Sequence, residues 1–510
     1  MFVLLMAPFS QGMEPPRFPG RFSAALTGLP QDLIHQFLFQ QQGFHDFFAQ
    51  PGVGGVGKNG VATTFGQQAV YKNPRLLAAA SRVFRGYGVR CGENGKRHYF
   101  RSSCSATGAT LHYALPLPAC HSPTAMPTSS VTIASKLPAV GTTIFTVMSK
   151  LAAECGAINL SQGFPDFQAE PALFDAAWQA MRAGRNQYPP MAGVTELRTA
   201  IADKVAALYG AAYDAEREIT VTAGATQAIF TAIAAFVRPG DEVIVFAPVY
   251  DSYVPAIETV GGTAVYASLR FPDYRPDWSR VRALVNPRTR MIVINSPHNP
   301  TGSLLDADDL HALADLTRGS DIVVLADEVY EHIVFDGARH RSVAAHPELA
   351  TRSLVVSSFG KTYHITGWKV GYVLGAAELT AEFRKVHQFN VFTVNTPCQL
   401  AIAGYMRDAS RHLGLAAFYE HKRDFFRRQL QGSRFELLDC RGTYFQLARY
   451  DAISDLPDRE FACWLTREAK VAAIPVSAFH RDGHDDRVVR FCFAKQEATL
   501  AAAGEKLRSL

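Results

Sequence analysis

The sequence predicts an α/β protein built on a mostly parallel sheet with helices on both faces, and three observations predict it. Short Val- and Ile-rich runs alternate with helix-length segments along residues 126–510. Those runs are continuously apolar rather than alternating, the pattern of internal strands buried on both sides. Each run also ends in a polar or glycine-containing cluster, and open α/β sheets bind ligands at the carboxyl ends of their strands.

Five strand-and-loop units follow in order. "EITVTAG" leads through a tight turn at Gly224, Ala225 and Thr226 into the apolar helix "AIFTAIAAF". The free amides and dipole at that helix start form an anion site, although a plain strand-to-helix turn would use the same residues. "DEVIVFAP" is followed by Tyr250, a flat ring able to stack on a planar ligand. "TRMIVINSP" opens a loop that holds Asn299 between prolines. "DIVVLADEVY" ends on Asp327, with Tyr330 three residues on. A carboxylate at a buried strand end needs a partner, which a protonated ring nitrogen or an arginine would supply. "SLVVSSFG" delivers Ser358 and then Lys361, with Lys369 eight residues later in "SSFGKTYHITGWKVGY".

Two lysines in one glycine-flanked stretch point to a division of labour. A nucleophilic lysine must be partly deprotonated, through desolvation or nearby positive charge. Lys361 has small neighbours and Lys369 within reach. Lys369, Ser358 and the amides after Gly224 suit a phosphate; Asp327 suits a pyridinium nitrogen; Asn299 and Tyr330 suit a ring oxygen. Taken together these are the parts of a pyridoxal 5'-phosphate site. Each loop alone reads equally well as an ordinary turn, a core tyrosine or a structural ion pair; their joint order along the chain carries the inference.

From about Met126 to Leu510 the chain resembles the class I/II aminotransferases of fold type I. Lys361 in "SSFGKTYHITGWKVGY" stands at the Schiff-base position, and "SPHNPTG" and "ADEVY" match two further family motifs. "KLPAVGTTIFTVMSKLAAECGAINLSQGFPDF" is similar to the methionine and kynurenine aminotransferase branch. The resemblance implies an N-terminal arm and part of a small domain over 126–165, a large cofactor-binding domain over 166–405, and a small α+β domain over 406–510. It implies that Gly163 offers backbone to a substrate carboxylate and that Tyr188 reaches the cofactor phosphate of a neighbouring subunit in a homodimer. It implies too that Arg490 in "VVRFCFA" clamps the substrate carboxylate, a reading that a buried guanidinium in an apolar strand supports independently. The substrates implied are amino acids and 2-oxo acids, with methionine or an aromatic amino acid as donor. A cysteine-conjugate C–S β-lyase on the same scaffold is the alternative, and a transcription regulator with an aminotransferase-like domain is a more remote one.

Bulk properties exclude other classes. The net charge of +5 does not by itself imply a nucleic-acid or membrane partner. Its excess lies in residues 1–125, which hold eleven Lys and Arg against four Asp and Glu and leave 40 against 42 elsewhere. Those 125 residues contain one amphipathic segment from Arg75, many glycines and no helix-turn-helix pattern. They read as a disordered extension ahead of Met126 from a mis-called start, with a basic arm as the alternative. Eight scattered cysteines without CxxC pairs imply reduced thiols, no metal site and a cytoplasmic enzyme.

Overall fold

The computed structural model describes residues 90–94, 97–101, 129 and 131–510. The chain divides into two compact units, Met1–Val131 and Thr132–Leu510. In the first, strands β1 (Arg90–Asn94) and β2 (Arg97–Arg101) pair antiparallel, with Arg90 opposite Arg101 and Asn94 opposite Arg97. Sequence reasoning assigned no strand there, and its amphipathic segment from Arg75 lies outside the described residues.

The second unit opens with the helix Ile144–Cys155 and the short strand β3 (Ile158–Asn159). Seven strands then build one sheet: β4 (Ile219–Thr222), β5 (Glu242–Ala247), β6 (Thr263–Ser268), β7 (Thr289–Asn295), β8 (Val323–Asp327), β9 (Ser353–Ser358) and β10 (Gly371–Gly375). Their spatial order is β4-β10-β9-β8-β7-β5-β6. Only β10 runs against its neighbours, β4 and β9; the other pairings are parallel.

Period-two alternation divides each central strand between two apolar layers. Val243, Val245, Met291, Val293, Val323 and Leu325 meet the helices Gly224–Phe236 and Tyr253–Thr259. Ile244, Ile292, Ile294, Val324 and Ala326 meet the helices Thr195–Tyr209 and Ala307–Thr317 on the other face. Helices on both faces explain why the strand runs are apolar throughout.

A second sheet follows the first in sequence. It orders β11 (Glu436–Leu437), β12 (Phe445–Arg449), β15 (Val488–Cys492) and β14 (Ile474–Pro475) antiparallel. Strand β13 (Val471–Ala472) pairs in parallel with β3, and Cys492 N–H donates to the Leu160 carbonyl at 2.8 Å. The segment around residue 160 is thereby fastened to the C-terminal sheet.

One charged cluster lies inside the second of these layers. Glu331, 5 % exposed, accepts from Lys204 Nζ at 2.6 Å, Ser357 Oγ at 2.6 Å and Tyr209 Oη at 2.6 Å. Lys204 Nζ also donates to Tyr372 Oη at 2.7 Å. Burial alone would raise the Glu331 carboxyl, but the Lys204 charge and these hydrogen bonds hold it well below its ordinary range. Lys204→Met would leave a buried carboxylate uncompensated. Denaturant unfolding of the cofactor-free protein should show a loss of about 3–5 kcal/mol, and an unchanged midpoint would dismiss the cluster as a structural anchor.

Candidate active site

The loops after β4, β5, β7, β8 and β9 leave the same edge of the sheet because those five strands are parallel. Lys361 sits in the one-turn helix Phe359–Thr362 directly after β9. Its Nζ donates to Tyr444 Oη at 2.8 Å and to the Gly163 carbonyl at 3.2 Å. It also lies 5.6 Å from the ring centre of Tyr330. Burial lowers the Lys361 amine to about 8; Arg490 and Lys369 push the same way, while Asp327 opposes them.

Lys369 takes a left-handed conformation (φ 55°) just ahead of β10. Its amine lies 3.4 Å from the point a Cβ on Gly224 would occupy, so the bare glycine leaves room for it. The helix Gly224–Phe236 has no side-chain cap. The first-turn amides of Gly224, Ala225 and Thr226 thus start beside a cation, and among the described residues no side chain caps them. Ser358 ends β9 against β10.

Asp327 is buried at the carboxyl end of β8, and Tyr253 Oη donates to its Oδ2 at 2.5 Å. Burial raises its carboxyl to about 6, against the hydrogen bonds from Tyr253 and the Val329 amide. Among the described residues no arginine forms a salt bridge with it. Tyr250 stands edge-on to Tyr253, with ring centres 5.6 Å apart.

Arg490, on β15, brings the second sheet to the same place. It is 1 % exposed, donates from Nη1 to Asn299 Oδ1 at 2.7 Å and from Nη2 to the Ser161 carbonyl at 3.3 Å, and stacks 3.8 Å above Phe445. Among the described residues its Nε has no partner. Gly163 packs on the same ring: a Cβ there would lie 3.0 Å from Phe445 Cζ. Tyr330 is buried edge-on to Tyr444 at 5.2 Å.

Tyr188 stands apart from this group. It is 81 % exposed and touches Phe392 edge-on at 5.4 Å. Sequence reasoning passed over Tyr253, Tyr444, Phe445 and Ser161. Tyr253 carried a faint signal, three residues after Tyr250 at the start of a helix; the other three are brought in by chain crossings that no local pattern marks.

The residues fit pyridoxal phosphate. A buried carboxyl at the strand end, an uncapped helix start beside a lysine and a desolvated amine supply its three attachment points. A buried guanidinium without a carboxylate partner and with an orphaned Nε supplies a place for a substrate carboxylate.

Comparison with known proteins agrees. The family model for aminotransferase class I and II matches residues 156–507. Methionine aminotransferase of Escherichia coli is 52 % identical over 377 residues, spanning 74 % of this chain and 98 % of that protein. The crystal structure of an E. coli protein with a methionine aminotransferase function superimposes with a TM-score of 0.74 at 52 % identity, covering 74 % of this chain and 100 % of the other. N-succinyldiaminopimelate aminotransferase from Mycobacterium tuberculosis gives 0.71 at 40 % identity, with 74 % and 100 % covered. Kynurenine–oxoglutarate transaminase 1 of rat is 34 % identical over 411 residues, 74 % of this chain and 97 % of that protein.

The raised Asp327 carboxyl has a consequence for stability. Its folded value of about 6 exceeds the ordinary 3.8, so folding favours the protonated form. Its contribution is present below the ordinary value and lost as pH rises through 6, a change of up to about 3 kcal/mol. Asp327→Asn should therefore raise the thermal midpoint of the cofactor-free protein at pH 8 more than at pH 4, while weakening cofactor binding. An equal effect at both pH values would show that this carboxyl is not desolvated.

Proposed function

The chain belongs to the class I and II aminotransferase family and is a pyridoxal-phosphate-dependent transaminase, and from that premise we propose that it moves the amino group of methionine or an aromatic amino acid to a 2-oxo acid in two half-reactions. The observation that carries this reading is the pairing of Lys361, a half-buried, desolvated amine lowered to about 8, with Arg490, a buried cation that has no carboxylate salt-bridge partner among the described residues.

In this reading Lys361 is the amine that would link to the cofactor, and once free its Nζ would carry the α-proton between the substrate and the cofactor carbon. Arg490, held by Asn299, pairs with the substrate carboxylate together with backbone at Gly163. Asp327, steadied by Tyr253, keeps the proton on the cofactor's ring nitrogen. Lys369, Ser358 and the amides at Gly224, Ala225 and Thr226 would grip the phosphate, Tyr250 would stack on the ring, and Asn299 and Tyr330 would hydrogen-bond its oxygen. When bound, pyridoxal phosphate supplies the electron sink for the charge left at the α-carbon.

Methionine heads the donors because the 52 % identical relative bears that name. The active unit in this proposal is a homodimer. Tyr188, with Phe389 at 89 % and Phe392 at 37 % exposure, forms an aromatic surface for a second subunit, whose cofactor phosphate Tyr188 reaches. We place the enzyme in the cytoplasm, a reading supported by free thiols at Cys155, Cys398, Cys440, Cys463 and Cys492.

Methionine added alone to the purified holoenzyme should bleach the visible band of the lysine-linked cofactor and leave the aminated form. A persistent band would overturn methionine as donor and direct the assay to phenylalanine, kynurenine and cysteine conjugates. Lys361→Ala should remain folded without transamination. Arg490→Ala should raise the apparent KM for the amino acid on the order of a hundredfold, because a buried charged pairing is lost; an unchanged KM would assign the carboxylate elsewhere. Sedimentation should give twice the chain mass.

A further inference from the structure

The Lys361 amine lies between two oxygens brought from distant parts of the chain. Tyr444 Oη is 2.8 Å away and the Gly163 carbonyl 3.2 Å away. Tyr444 in turn donates to that same carbonyl at 2.7 Å. A phenol has one proton. With that proton committed to Gly163, Tyr444 presents only lone pairs to Lys361. Burial holds its hydroxyl well above the usual tyrosine range, so it stays a neutral phenol. Its ring cannot swing away: it stands edge-on to Tyr330 at 5.2 Å and tilted against Tyr419 at 5.5 Å.

We propose that Tyr444 is a positioning residue for the transamination: with the Gly163 carbonyl it takes both N–H bonds of the neutral Lys361 amine and thereby aims the amine's lone pair into the site. The nitrogen is tetrahedral, so fixing two N–H directions leaves one place for the lone pair. The inference rests on Lys361 being the catalytic amine. Other groups face Lys361 from the surrounding elements: Asp327 at the end of β8, Tyr330 after it, Arg490 and Cys492 on β15, and Lys369 ahead of β10. Among the described residues, Tyr444 and Gly163 are the ones that hydrogen-bond its Nζ. The same two oxygens also stabilise the ammonium form, so each partly offsets the effect of burial.

The test reads the lysine without the cofactor. The full-length, cofactor-free protein is pulsed with acetic anhydride across a pH series, and acetylation of Lys361 is followed by mass spectrometry. The unmodified chain should show a midpoint near 8. Tyr444→Phe should move it down by about one unit, the loss of one hydrogen bond to a charged group. In the holoenzyme the same change should lower kcat on the order of tenfold with KM for methionine nearly constant, the mark of lost orientation. Tyr419→Phe removes a hydroxyl that has no partner from the ring packed on Tyr444, and should leave the midpoint in place. An unshifted midpoint in Tyr444→Phe, or an equal shift in Tyr419→Phe, overturns the proposal. Failure of the underlying reading is distinguishable: borohydride would then fix the cofactor to a lysine other than Lys361.

Discussion

The buried pair of Lys204 and Glu331 is the interaction on which the catalytic edge depends. Glu331 follows Asp327 by one turn of chain, and its carboxylate collects Lys204 and Tyr209 from one helix and Ser357 from β9. Tyr372 of β10 closes the group through Lys204. Helix, turn and two strands are thereby fixed relative to one another by charge-assisted hydrogen bonds in an apolar layer, where an unmet bond is expensive. Asp327, Tyr330, Ser358, Lys361 and Lys369 hang from these elements or from the adjacent β8, while Tyr250 and Asn299 follow β5 and β7 farther along the sheet.

Above that anchor the chemistry follows from desolvation applied to groups of opposite sign. The same dry surroundings lift the Asp327 carboxyl to about 6 and bring the Lys361 amine down to about 8. Each group is left close to the pH at which it can exchange a proton, the condition for acid–base work. Arg490 is desolvated too, but remains cationic; its guanidinium contacts an amide, a carbonyl and aromatic faces, and the Asp251 carboxyl acts on it electrostatically without forming a salt bridge among the described residues. An anionic substrate group is what this arrangement lacks.

Much of this was legible in the chain. The five apolar runs are strands of one sheet, and the loops after them hold the candidate residues in the expected order. Strands β6 and β10 were not singled out: "TAVYAS" is only partly buried, and "GYVLG" is short and bounded by glycines. Contacts across the fold leave no local mark, although the resemblance named Gly163 and Arg490. Tyr444 lies 83 positions from Lys361, and Gly163 lies 198 positions from it, so no spacing connects them. Tyr188 is expected to act on a neighbouring subunit, and in this one chain its ring is exposed.

The reversed direction of β10 has a geometric result. A parallel successor to β9 would require the chain to cross the sheet and re-enter at the far edge. Because β10 runs back alongside β9, one loop leaves and rejoins the sheet on the same side, keeping Lys361 and Lys369 together. Gly371 locks that return, since any side chain would strike the Ser357 carbonyl at 2.6 Å and the Ala225 amide at 3.2 Å. The antiparallel strand β10 therefore works as a ruler for the separation between the two lysine amines of this sheet edge.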